Sequence, residues 1–355
     1  MVTVQVLIPC YNYGRYLEQC VESVLQQEGV DLDILIIDDC SSDHTPEVCR
    51  ALQDRDARIR VIHHETNAGH IATFNEGMAD IRGDYFVLLS ADDLLTPGAL
   101  SRATSLMQAH PKVGMAYGQP ICFQGDELPE ARTMATGSSV WNGRHWMRHV
   151  CRSGKNFVVC PEAVVRTDVQ RQIGGYNPKL PQSGDMEMWL RIACVSDIGR
   201  VHGADQAYYR VHAQSMLRTV HAGLLTDLIA RRDAFQSVFD GEGSSLAERE
   251  ELHLLAKRAL AFTALQHARK LLESHESCKD DHEAYVDFAT SLCPEIIGSR
   301  RYRMLKTMQR RERGFIQRAV AVGGRLRKSF DDAVVSRAEY HWAKRTGVYF
   351  PRWII

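Results

Sequence analysis

The sequence predicts an α/β fold: a mostly parallel sheet with helices on both faces, followed by a helical C-terminal region. Three observations support this prediction. Short β-branched, apolar segments alternate with segments of helical period over the first 120 residues. These apolar segments contain few polar residues, as is typical of strands that are buried on both faces. From about Gly223 to Cys293 the apolar residues follow a helical period.

The first 120 residues divide into five predicted strands and four predicted helices. The strands are Val4–Ile8, Ile34–Ile37, Arg60–His63, Tyr85–Leu89 and Gly114–Tyr117. The helices are Tyr16–Gln26, Pro46–Asp54, Ile71–Ile81 and Pro97–Ala109. Thr45 and Thr96 each precede a proline, so we expect each threonine to cap the helix that follows it.

The rest of the chain is less regular. Residues 120–220 are rich in loops and contain one further predicted helix, Met186–Ala193. The polar stretch Asp240–Ser245 predicts a turn between two later helices. We therefore expect three parts: residues 1–220, in two halves at 1–120 and 121–220, a helical region at 221–298, and a basic amphipathic segment at 299–355.

The charge of the protein is unevenly distributed. The 355 residues carry a formal net charge of −1, which excludes a generally basic nucleic-acid-binding protein. Residues 299–328, however, contain eleven basic residues and one acidic residue, a net charge of +10. The remainder of the chain therefore carries −11.

The sequence predicts a cytoplasmic location. Its ten cysteines include no Cys-x-x-Cys pair, which favours free thiols in a reducing compartment. Met1–Ile8 has neither the positive charge nor the cleavage site of a signal peptide. No apolar run reaches the roughly 18 residues that a membrane-spanning helix needs.

Polar side chains follow four of the predicted strands. They lie in Pro9–Asn12, Asp38–Asp43, Asn67–His70 and Ser90–Asp93. Ligands bind beyond the carboxyl ends of the strands in open parallel sheets, so we expect these loops to form one site. The glycine-rich signatures of P-loop and dinucleotide sites are absent. Acidic loops hold a nucleotide diphosphate only with a divalent cation, Mn²⁺ or Mg²⁺, between them. Asp92 is the best candidate ligand, and capping of the next helix is the alternative.

Three of these segments resemble a known family. Ile8–Asn12, Ile36–Asp43 and Leu89–Asp93, at these separations, are similar to family 2 glycosyltransferases of the non-processive bacterial type. The resemblance is strong over residues 2–120 and weaker to about residue 215. It implies the GT-A (Rossmann-like) version of the fold, with residues 1–120 as the nucleotide-sugar half and 121–220 as the acceptor half.

The resemblance implies that Pro9, Tyr11 and Asp39 bind the nucleotide base. Tyrosine offers a flat face to a base, and a carboxylate accepts from a pyrimidine imide, so a UDP-sugar is the expected donor. The alternative for Asp39 is a turn-forming role. The other expected nucleotide-sugar contacts are Asn12, Asn67, Gly69, His70, Ser90, Ala91 and Asp92.

The metal-binding Asp-x-Asp motif of the family falls on Ser90–Asp92. The resemblance therefore assigns the cation and diphosphate to Asp92, with serine in place of the first aspartate. His212, in Tyr208–His212, is the second expected metal ligand, and a histidine without a ligand is the alternative. Phe74 stands where many members carry an arginine, and His70 is the candidate to replace it.

A second acidic motif of the family matches Ser183–Arg191. The resemblance assigns the catalytic base to Asp185, with Gly184 in place of the usual glutamate, and helix capping is the alternative. Glu187 is the rival base, but in a helix it points about 200° away from Asp185. Asp93, Glu187 and Trp189 are expected on the acceptor side. Three further aromatic or histidine residues line the acceptor pocket or belong to an ordinary amphipathic helix: His145, Trp146 and His149.

The expected activity is inverting transfer of one hexosyl or N-acetylhexosaminyl group to a glycan or polyprenyl-linked acceptor in surface polysaccharide synthesis. The processive motif Gln-x-x-Arg-Trp of the family is absent. Two alternatives remain, a non-catalytic nucleotide- or glycan-binding protein and a nucleotidyltransferase. The latter usually needs a glycine-rich basic loop that this sequence lacks.

The basic segment 299–328 predicts a peripheral contact with an anionic membrane surface, at the inner face of the plasma membrane. The alternatives are packing against the acidic part of the protein and, less favoured, RNA binding. We expect no nucleic acid as a partner. The helical region 221–298 is the candidate surface for a homo-oligomer.

Overall fold

The computed structural model describes residues 1–212, 223–274 and 282–312. Within them the chain forms two compact units. The first comprises residues 1–148, 156–212 and 233–247, and the second comprises 149–155, 223–232, 248–274 and 282–312. Residues 149–155 thus belong to the same unit as the later helices, and residues 233–247 belong to the unit that contains the sheet.

The first unit is built on a sheet of nine strands. In chain order they are β1 (Thr3–Cys10), β2 (Asp31–Asp38), β3 (Ile59–His63), β4 (Tyr85–Leu88), β5 (Leu94–Leu95), β6 (Val113–Phe123), β7 (Gly137–Trp141), β8 (Val164–Arg166) and β9 (Asp197–Arg210). Their spatial order is β3-β2-β1-β4-β8-β6-β9-β5, with β7 paired to β9.

The sheet is mixed, and its parallel part carries the predicted site loops. β1 pairs in parallel with β2 and with β4, and β2 pairs in parallel with β3. β8 runs antiparallel between β4 and β6, while β6 and β9 are parallel. The predicted α/β fold class is thus confirmed.

Eleven α-helices lie within the described residues. Seven precede residue 213: α1 (Gly14–Leu25), α2 (Thr45–Arg55), α3 (His70–Ala79), α4 (Ala99–Ala109), α5 (Gly143–Ser153), α6 (Thr167–Ile173) and α7 (Gly184–Val195). Four follow: α8 (Leu224–Asp240), α9 (Arg249–Ser274), α10 (His282–Leu292) and α11 (Arg300–Glu312). Short 3₁₀ segments occupy Glu242–Ser245 and Pro294–Gly298.

The strands form where the sequence is apolar on both faces. Val4, Val6, Ile8, Ile34 and Ile36 are completely buried in one core cluster beneath the helices. β1, β2 and β4 end at Cys10, Asp38 and Leu88. The loops with polar residues therefore start where the buried strands stop.

Two predicted helix caps are wrong. Thr45 is the first residue of α2, and its amide donates to Asp43 Oδ1 over 3.0 Å, so Asp43 supplies the capping carboxylate. Thr96 lies before the start of α4 at Ala99, and its hydroxyl donates to the Asp205 carbonyl over 2.5 Å. In both cases the threonine has a hydrogen-bond partner outside the threonine–proline pair.

The second unit is helical. Leu252, Ala256, Leu260, Ala264 and Ala268 of α9 are buried at helical spacing. α11 joins this unit through buried Leu305 and through Arg301, whose guanidinium lies 5.1 Å from the ring centre of Phe262. The expected oligomer contact through residues 221–298 stays a prediction. Most of the segment 299–355 lies outside the described residues.

No helix among the described residues combines the length and apolarity that crossing a bilayer requires. The nine cysteines in that part of the chain are free thiols, as the sequence predicts.

Candidate functional site

Asn12 connects the loops after β1 and β2. Its side-chain oxygen accepts hydrogen bonds from the amides of Ser42 at 2.8 Å and Asp43 at 3.3 Å. Its own amide donates to Ser41 Oγ over 2.8 Å. The backbone of Asn12 is left-handed, with φ 58°, a conformation that asparagine tolerates better than most residues. These bonds fix the first loop against the second.

Tyr11 projects from this fixed loop. It is 49% exposed, whereas Cys10 beside it is buried and Pro9 is half-buried. An exposed ring on a fixed backbone is a suitable platform for a flat ligand.

Asp39 is buried and joins the loop after β2 to the loop after β3. Its Oδ1 accepts from the Ala68 amide at 2.7 Å and lies 2.7 Å from His64 Nδ1, and its Oδ2 accepts from the Gly69 amide at 2.9 Å. Asn67 Nδ2 donates to the Asp39 carbonyl over 3.1 Å. Burial raises the pKa of Asp39, but the hydrogen bonds outweigh it and lower that pKa below its ordinary value. Oδ2 makes one of these hydrogen bonds and can accept a second.

His64 forms a hydrogen bond with Asp39, a contact that sequence reasoning missed. Its Nε2 lies 2.8 Å from Glu76 Oε2 of α3. Burial lowers the pKa of His64, but the hydrogen bonds with Asp39 and Glu76 outweigh it and raise that pKa. No sequence motif marks this histidine, because its partners are 25 and 12 residues away.

Gly69 and His70 begin α3. Gly69 has φ 83°, which favours glycine, and precedes the helix as its cap. His70 Nε2 lies 3.3 Å from the Pro181 carbonyl, and its ring meets Phe74 with 5.5 Å between centroids.

The loop after β4 carries Ser90, Ala91, Asp92 and Asp93. The Ser90 carbonyl accepts from the Asp93 amide over 3.0 Å, which closes the turn, and Ala91 is buried. Asp93 is also buried and accepts from the Arg210 amide over 2.8 Å. Burial and the nearby Asp92 raise the pKa of Asp93 well above its ordinary value.

Asp92 pairs with His212. Asp92 Oδ2 lies 2.9 Å from His212 Nε2, and the imidazole is flanked by the rings of Tyr13 and Tyr16 with centroids 5.7 and 5.5 Å away. An oxygen and an imidazole nitrogen are suitable ligands for Mn²⁺. No group of three His, Cys, Asp or Glu residues within 1–212, 223–274 and 282–312 has the arrangement of a metal site. Asp92 and His212 are thus a pair of candidate ligands and not a complete metal site.

Arg210 is a buried cation beneath this acidic loop, and sequence reasoning missed it. Its Nε donates to the Asp92 carbonyl over 3.0 Å and its Nη2 to Gln19 Oε1 over 2.6 Å. The guanidinium also lies 4.6 Å from the ring centre of Tyr16 and 4.5 Å from that of Phe123. It ties the loop after β4 to α1 and to β6.

Asp185 lies in the first turn of α7. Tyr176 donates its hydroxyl proton to Asp185 Oδ1 over 2.7 Å. Burial raises the pKa of Asp185 to about 6, although this hydrogen bond acts in the opposite direction. Asp185 is therefore ionised at neutral pH, and its pKa is close enough to neutral pH for it to accept a proton.

A buried carboxyl group, Glu162, lies near Asp185, and sequence reasoning missed it as well. It is 2% exposed, its Oε1 accepts from the Val159 amide over 2.8 Å, and its Oε2 has no hydrogen-bond partner among the residues that the structure describes. Burial raises the pKa of Glu162 to about 8, and Asp185 adds to that rise.

Tyr209 of β9 relates the two acidic segments. Its pKa is raised by burial and by the charges of Asp93, Asp92 and Asp185. Electrostatic effects fall off with distance, so the carboxylates of the loop after β4 and of α7 lie near the same side chain. The first unit thus brings Asp92, Asp93 and Asp185 into one acidic region.

The structure does not favour three of the residues expected on the acceptor side. Asp93 is buried, as described above. Glu187 is buried in an ion pair, with Arg191 Nε 2.8 Å from its Oε2 and Ser237 Oγ 2.9 Å from its Oε1. Trp189 is buried, and its indole nitrogen donates to the Val158 carbonyl over 3.3 Å. Their side chains already have partners inside the protein, so we do not assign them to the acceptor.

Trp146 is a core residue rather than part of a pocket. It is buried in α5, and its indole nitrogen donates to the Tyr117 hydroxyl over 3.2 Å. Of the two interpretations of His145–His149, this contact favours the ordinary amphipathic helix.

Comparison with known proteins gives the family context. Residues 5–171 match the model of the family described as Glycosyl transferase family 2. The glycosyltransferase GlyG of Streptococcus pneumoniae is 36% identical over 92 residues, which are 26% of this chain and 31% of GlyG. The chain also covers less than two thirds of the length of three further curated relatives.

Two solved structures share the fold. Residues 1–349 of S. aureus TarS, in complex with UDP-GlcNAc, match with a TM-score of 0.60 at 15% identity, over 82% of this chain and 80% of that chain. The mannosyltransferase PcManGT of Pyrobaculum calidifontis, in complex with GDP-Man and Mn²⁺, matches with a TM-score of 0.50 at 18% identity, over 86% and 83% of the two chains.

The raised pKa of Glu162 predicts a pH-dependent effect on stability. The ordinary value is 4.5 and the folded value is about 8, so the folded chain holds this proton more strongly than the unfolded chain does. The resulting stabilisation is complete below the ordinary value and is lost as the pH rises through the folded value. Relative to Glu162→Gln, the wild type should lose about 1.4 kcal/mol of unfolding free energy per pH unit in this window.

Urea unfolding at pH 5 and pH 8 measures this difference. Glu130→Gln, at an exposed glutamate, is the matched control and should follow the wild type at both pH values. A gap between wild type and Glu162→Gln that stays constant with pH would contradict the prediction.

Proposed function

Since residues 5–171 form a glycosyltransferase family 2 domain, we propose that this chain transfers a single sugar from a nucleotide-sugar to an acceptor hydroxyl, with inversion at the anomeric carbon. The observation that carries the proposal is Asp185, a half-buried carboxylate in the first turn of α7 that accepts the Tyr176 hydroxyl proton over 2.7 Å and lies in the same acidic region as Asp92. A base and a diphosphate-side carboxylate are the two elements that such a transfer needs.

The donor is a UDP-sugar, either hexosyl or N-acetylhexosaminyl. Tyr11 stacks on the base, and Asp39 Oδ2 accepts from the imide N–H of uracil. The exposed ring of Tyr11 and the remaining acceptor position on Asp39 support this assignment. TarS, which shares the fold, binds UDP-GlcNAc.

Asp92 and His212 hold a divalent cation, Mn²⁺ or Mg²⁺. The 2.9 Å between Asp92 Oδ2 and His212 Nε2 supports a shared ion, and PcManGT, of the same fold, binds Mn²⁺. Two protein ligands suit a cation whose other positions belong to diphosphate oxygens and water. When bound, the ion offsets the negative charge on the departing nucleoside diphosphate.

Asp185 acts as the base. It removes the proton from the acceptor hydroxyl while that oxygen bonds to the anomeric carbon, and the bond from this carbon to the diphosphate oxygen breaks. Its pKa of about 6 supports the role, because the group is ionised at neutral pH.

The acceptor is a glycan or polyprenyl-linked sugar of a surface polysaccharide, reached at the inner face of the plasma membrane. α11 supports this location, because six of its 13 residues are basic and one is acidic. Arg300 and Arg303 are exposed, and neither has an ion-pair partner within residues 1–212, 223–274 and 282–312. Such cations are attracted to anionic lipid.

Asp185→Asn should lower kcat about a hundredfold to ten-thousandfold, because a positioned general base contributes that much. UDP binding should remain unchanged, since Asp185 is assigned to the acceptor. Wild-type transfer should also fall as the pH drops below about 6, where Asp185 becomes protonated. Steady-state transfer assays with UDP-sugars measure kcat and its pH dependence, and isothermal titration calorimetry measures UDP binding.

Asp168→Asn, at an exposed carboxylate of α6, is the control and should transfer at the wild-type rate. Equal activity in Asp185→Asn would rule out this residue as the base. Wild-type protein that binds UDP but transfers no sugar would instead support the non-catalytic binding protein.

Asp92→Ala should remove the effect of Mn²⁺ on UDP binding. In the wild type we expect Mn²⁺ to tighten binding about tenfold, equivalent to about 1.4 kcal/mol. Isothermal titration calorimetry with and without Mn²⁺ measures the difference. Asp54→Ala, at an exposed aspartate of α2, should keep the wild-type response, and UDP affinity that is independent of Mn²⁺ in the wild type would remove the metal from the proposal.

Arg300→Glu/Arg303→Glu should weaken binding to phosphatidylglycerol vesicles by about 30-fold or more, since each cation near an anionic surface contributes about 1 kcal/mol. Vesicle co-sedimentation measures this. Lys112→Glu/Lys179→Glu makes the same charge change at exposed lysines elsewhere and should bind nearly as well as the wild type. Equal loss in both double variants would refute a specific role for α11.

A further inference from the structure

Tyr176 is a buried tyrosine whose hydroxyl reaches the proposed base. It follows Gly174 and Gly175 in the loop after α6 and is 3% exposed. Its hydroxyl donates to Asp185 Oδ1 over 2.7 Å. A buried tyrosine hydroxyl needs a polar partner, and here its partners are the carboxylate assigned to proton removal and the Cys160 thiol.

α3 holds Tyr176 through both its backbone and its ring. Asn75 Nδ2 donates to the Tyr176 carbonyl over 2.9 Å, and the Tyr176 amide donates to Asn75 Oδ1 over 2.6 Å. The Phe74 ring meets the Tyr176 ring edge-on, with 5.4 Å between centroids and 65° between planes. The hydroxyl therefore has little freedom to move away from Asp185.

Gly184 provides the space that the Tyr176 ring occupies. A Cβ atom at position 184 would lie 2.8 Å from Cδ1 and 3.3 Å from Cε1 of that ring. The first distance is shorter than van der Waals contact, and the ring is fixed by α3, so a side chain here would displace Tyr176. Gly184 immediately precedes Asp185, so the ring and the carboxylate share the first turn of α7.

Four ionisable groups face Asp185 from the elements packed around it. They are Tyr176 from the loop after α6, Cys160 and Glu162 from the turn before β8, and Tyr209 from β9. Burial raises the pKa of Asp185, and the hydrogen bond from Tyr176 lowers it. A hydrogen bond donated to the charged form of a carboxyl group favours ionisation.

We infer that Tyr176 is the positioning residue of the base: its hydroxyl fixes Asp185 Oδ1, leaves Oδ2 to take the acceptor proton, and depends on Gly184 for access. The inference rests on the proposed function, in which Asp185 removes that proton. Tyr176 itself touches no reacting atom in this scheme, and it acts through Asp185.

Tyr176→Phe tests the hydroxyl alone, because the ring and its contacts with Phe74 remain. Removing a hydrogen bond to a charged group is worth about one pKa unit. The acidic limb of the plot of kcat against pH should move from about pH 6 to about one unit higher, because the pKa of Asp185 would rise. Near pH 6.5 kcat should fall severalfold, while KM for the UDP-sugar stays within twofold of the wild type.

Gly184→Ala tests the same contact, because the added Cβ atom would displace the Tyr176 ring. It should move the acidic limb in the same direction as Tyr176→Phe. The double variant should shift it no further than Tyr176→Phe alone, because both changes remove one hydrogen bond. Tyr208→Phe, whose hydroxyl donates to the Pro129 carbonyl over 3.1 Å, is the matched control and should keep the wild-type limb.

Carboxyl ¹³C NMR of aspartate-labelled protein supplies a readout that needs no activity. The resonance missing from Asp185→Asn identifies Asp185, and its titration midpoint should rise by about one unit in Tyr176→Phe. An unchanged midpoint and an unchanged limb in Tyr176→Phe would overturn the inference while leaving the base assignment intact. Full activity of Asp185→Asn would overturn the base assignment, and with it the role of Tyr176. Should Tyr176→Phe fail to fold, an unchanged midpoint in Gly184→Ala would overturn the inference.

Discussion

The acidic loop after β4 is held by one buried guanidinium. Arg210 lies beneath the loop after β4, binds the Asp92 carbonyl and Gln19, and gives its amide to Asp93. Carboxylates that are withdrawn from water need a compensating charge or donor. Because Arg210 ends β9, this compensation comes from the part of the sheet farthest along the chain, and it places His212 two residues later, beside Asp92.

α3 supports both ends of the candidate site. Glu76 on this helix contacts His64, which in turn contacts Asp39 on the nucleotide side. Phe74 and Asn75 of the same helix hold Tyr176 beside Asp185. One helix of ten residues thus supports both Asp39, which we propose recognises the base, and Asp185, which we propose removes the proton.

The sequence predicted those parts that depend on local pattern. β1, β2 and β4 were predictable because their residues are apolar on both faces, and the polar loops follow directly from where those strands end. The sequence also predicted that the side chains of Asp185 and Glu187 point in different directions, because a helix turns about 100° per residue. Arg210, His64 and Tyr176 were not predictable in their roles, because each acts on a partner that is distant in sequence or set by packing. The cap at Thr96 failed for the same reason, because its hydroxyl donates to the carbonyl of Asp205, which is 109 residues away. The cap at Thr45 failed for a local reason, because its amide donates to Asp43, two residues earlier.

Gly184 has a consequence for how this chain compares with its relatives. When the sequence motif is considered alone, glycine at position 184 is interpreted as the loss of an acidic residue. In three dimensions the missing atoms are replaced by the ring of Tyr176. Positions 176 and 184 therefore form a steric pair that cannot vary independently: homologues with a larger residue at 184 should carry a smaller or rotated side chain at 176. The covariation of these two positions, rather than the motif at 184, should define the subgroup of sequences with this arrangement.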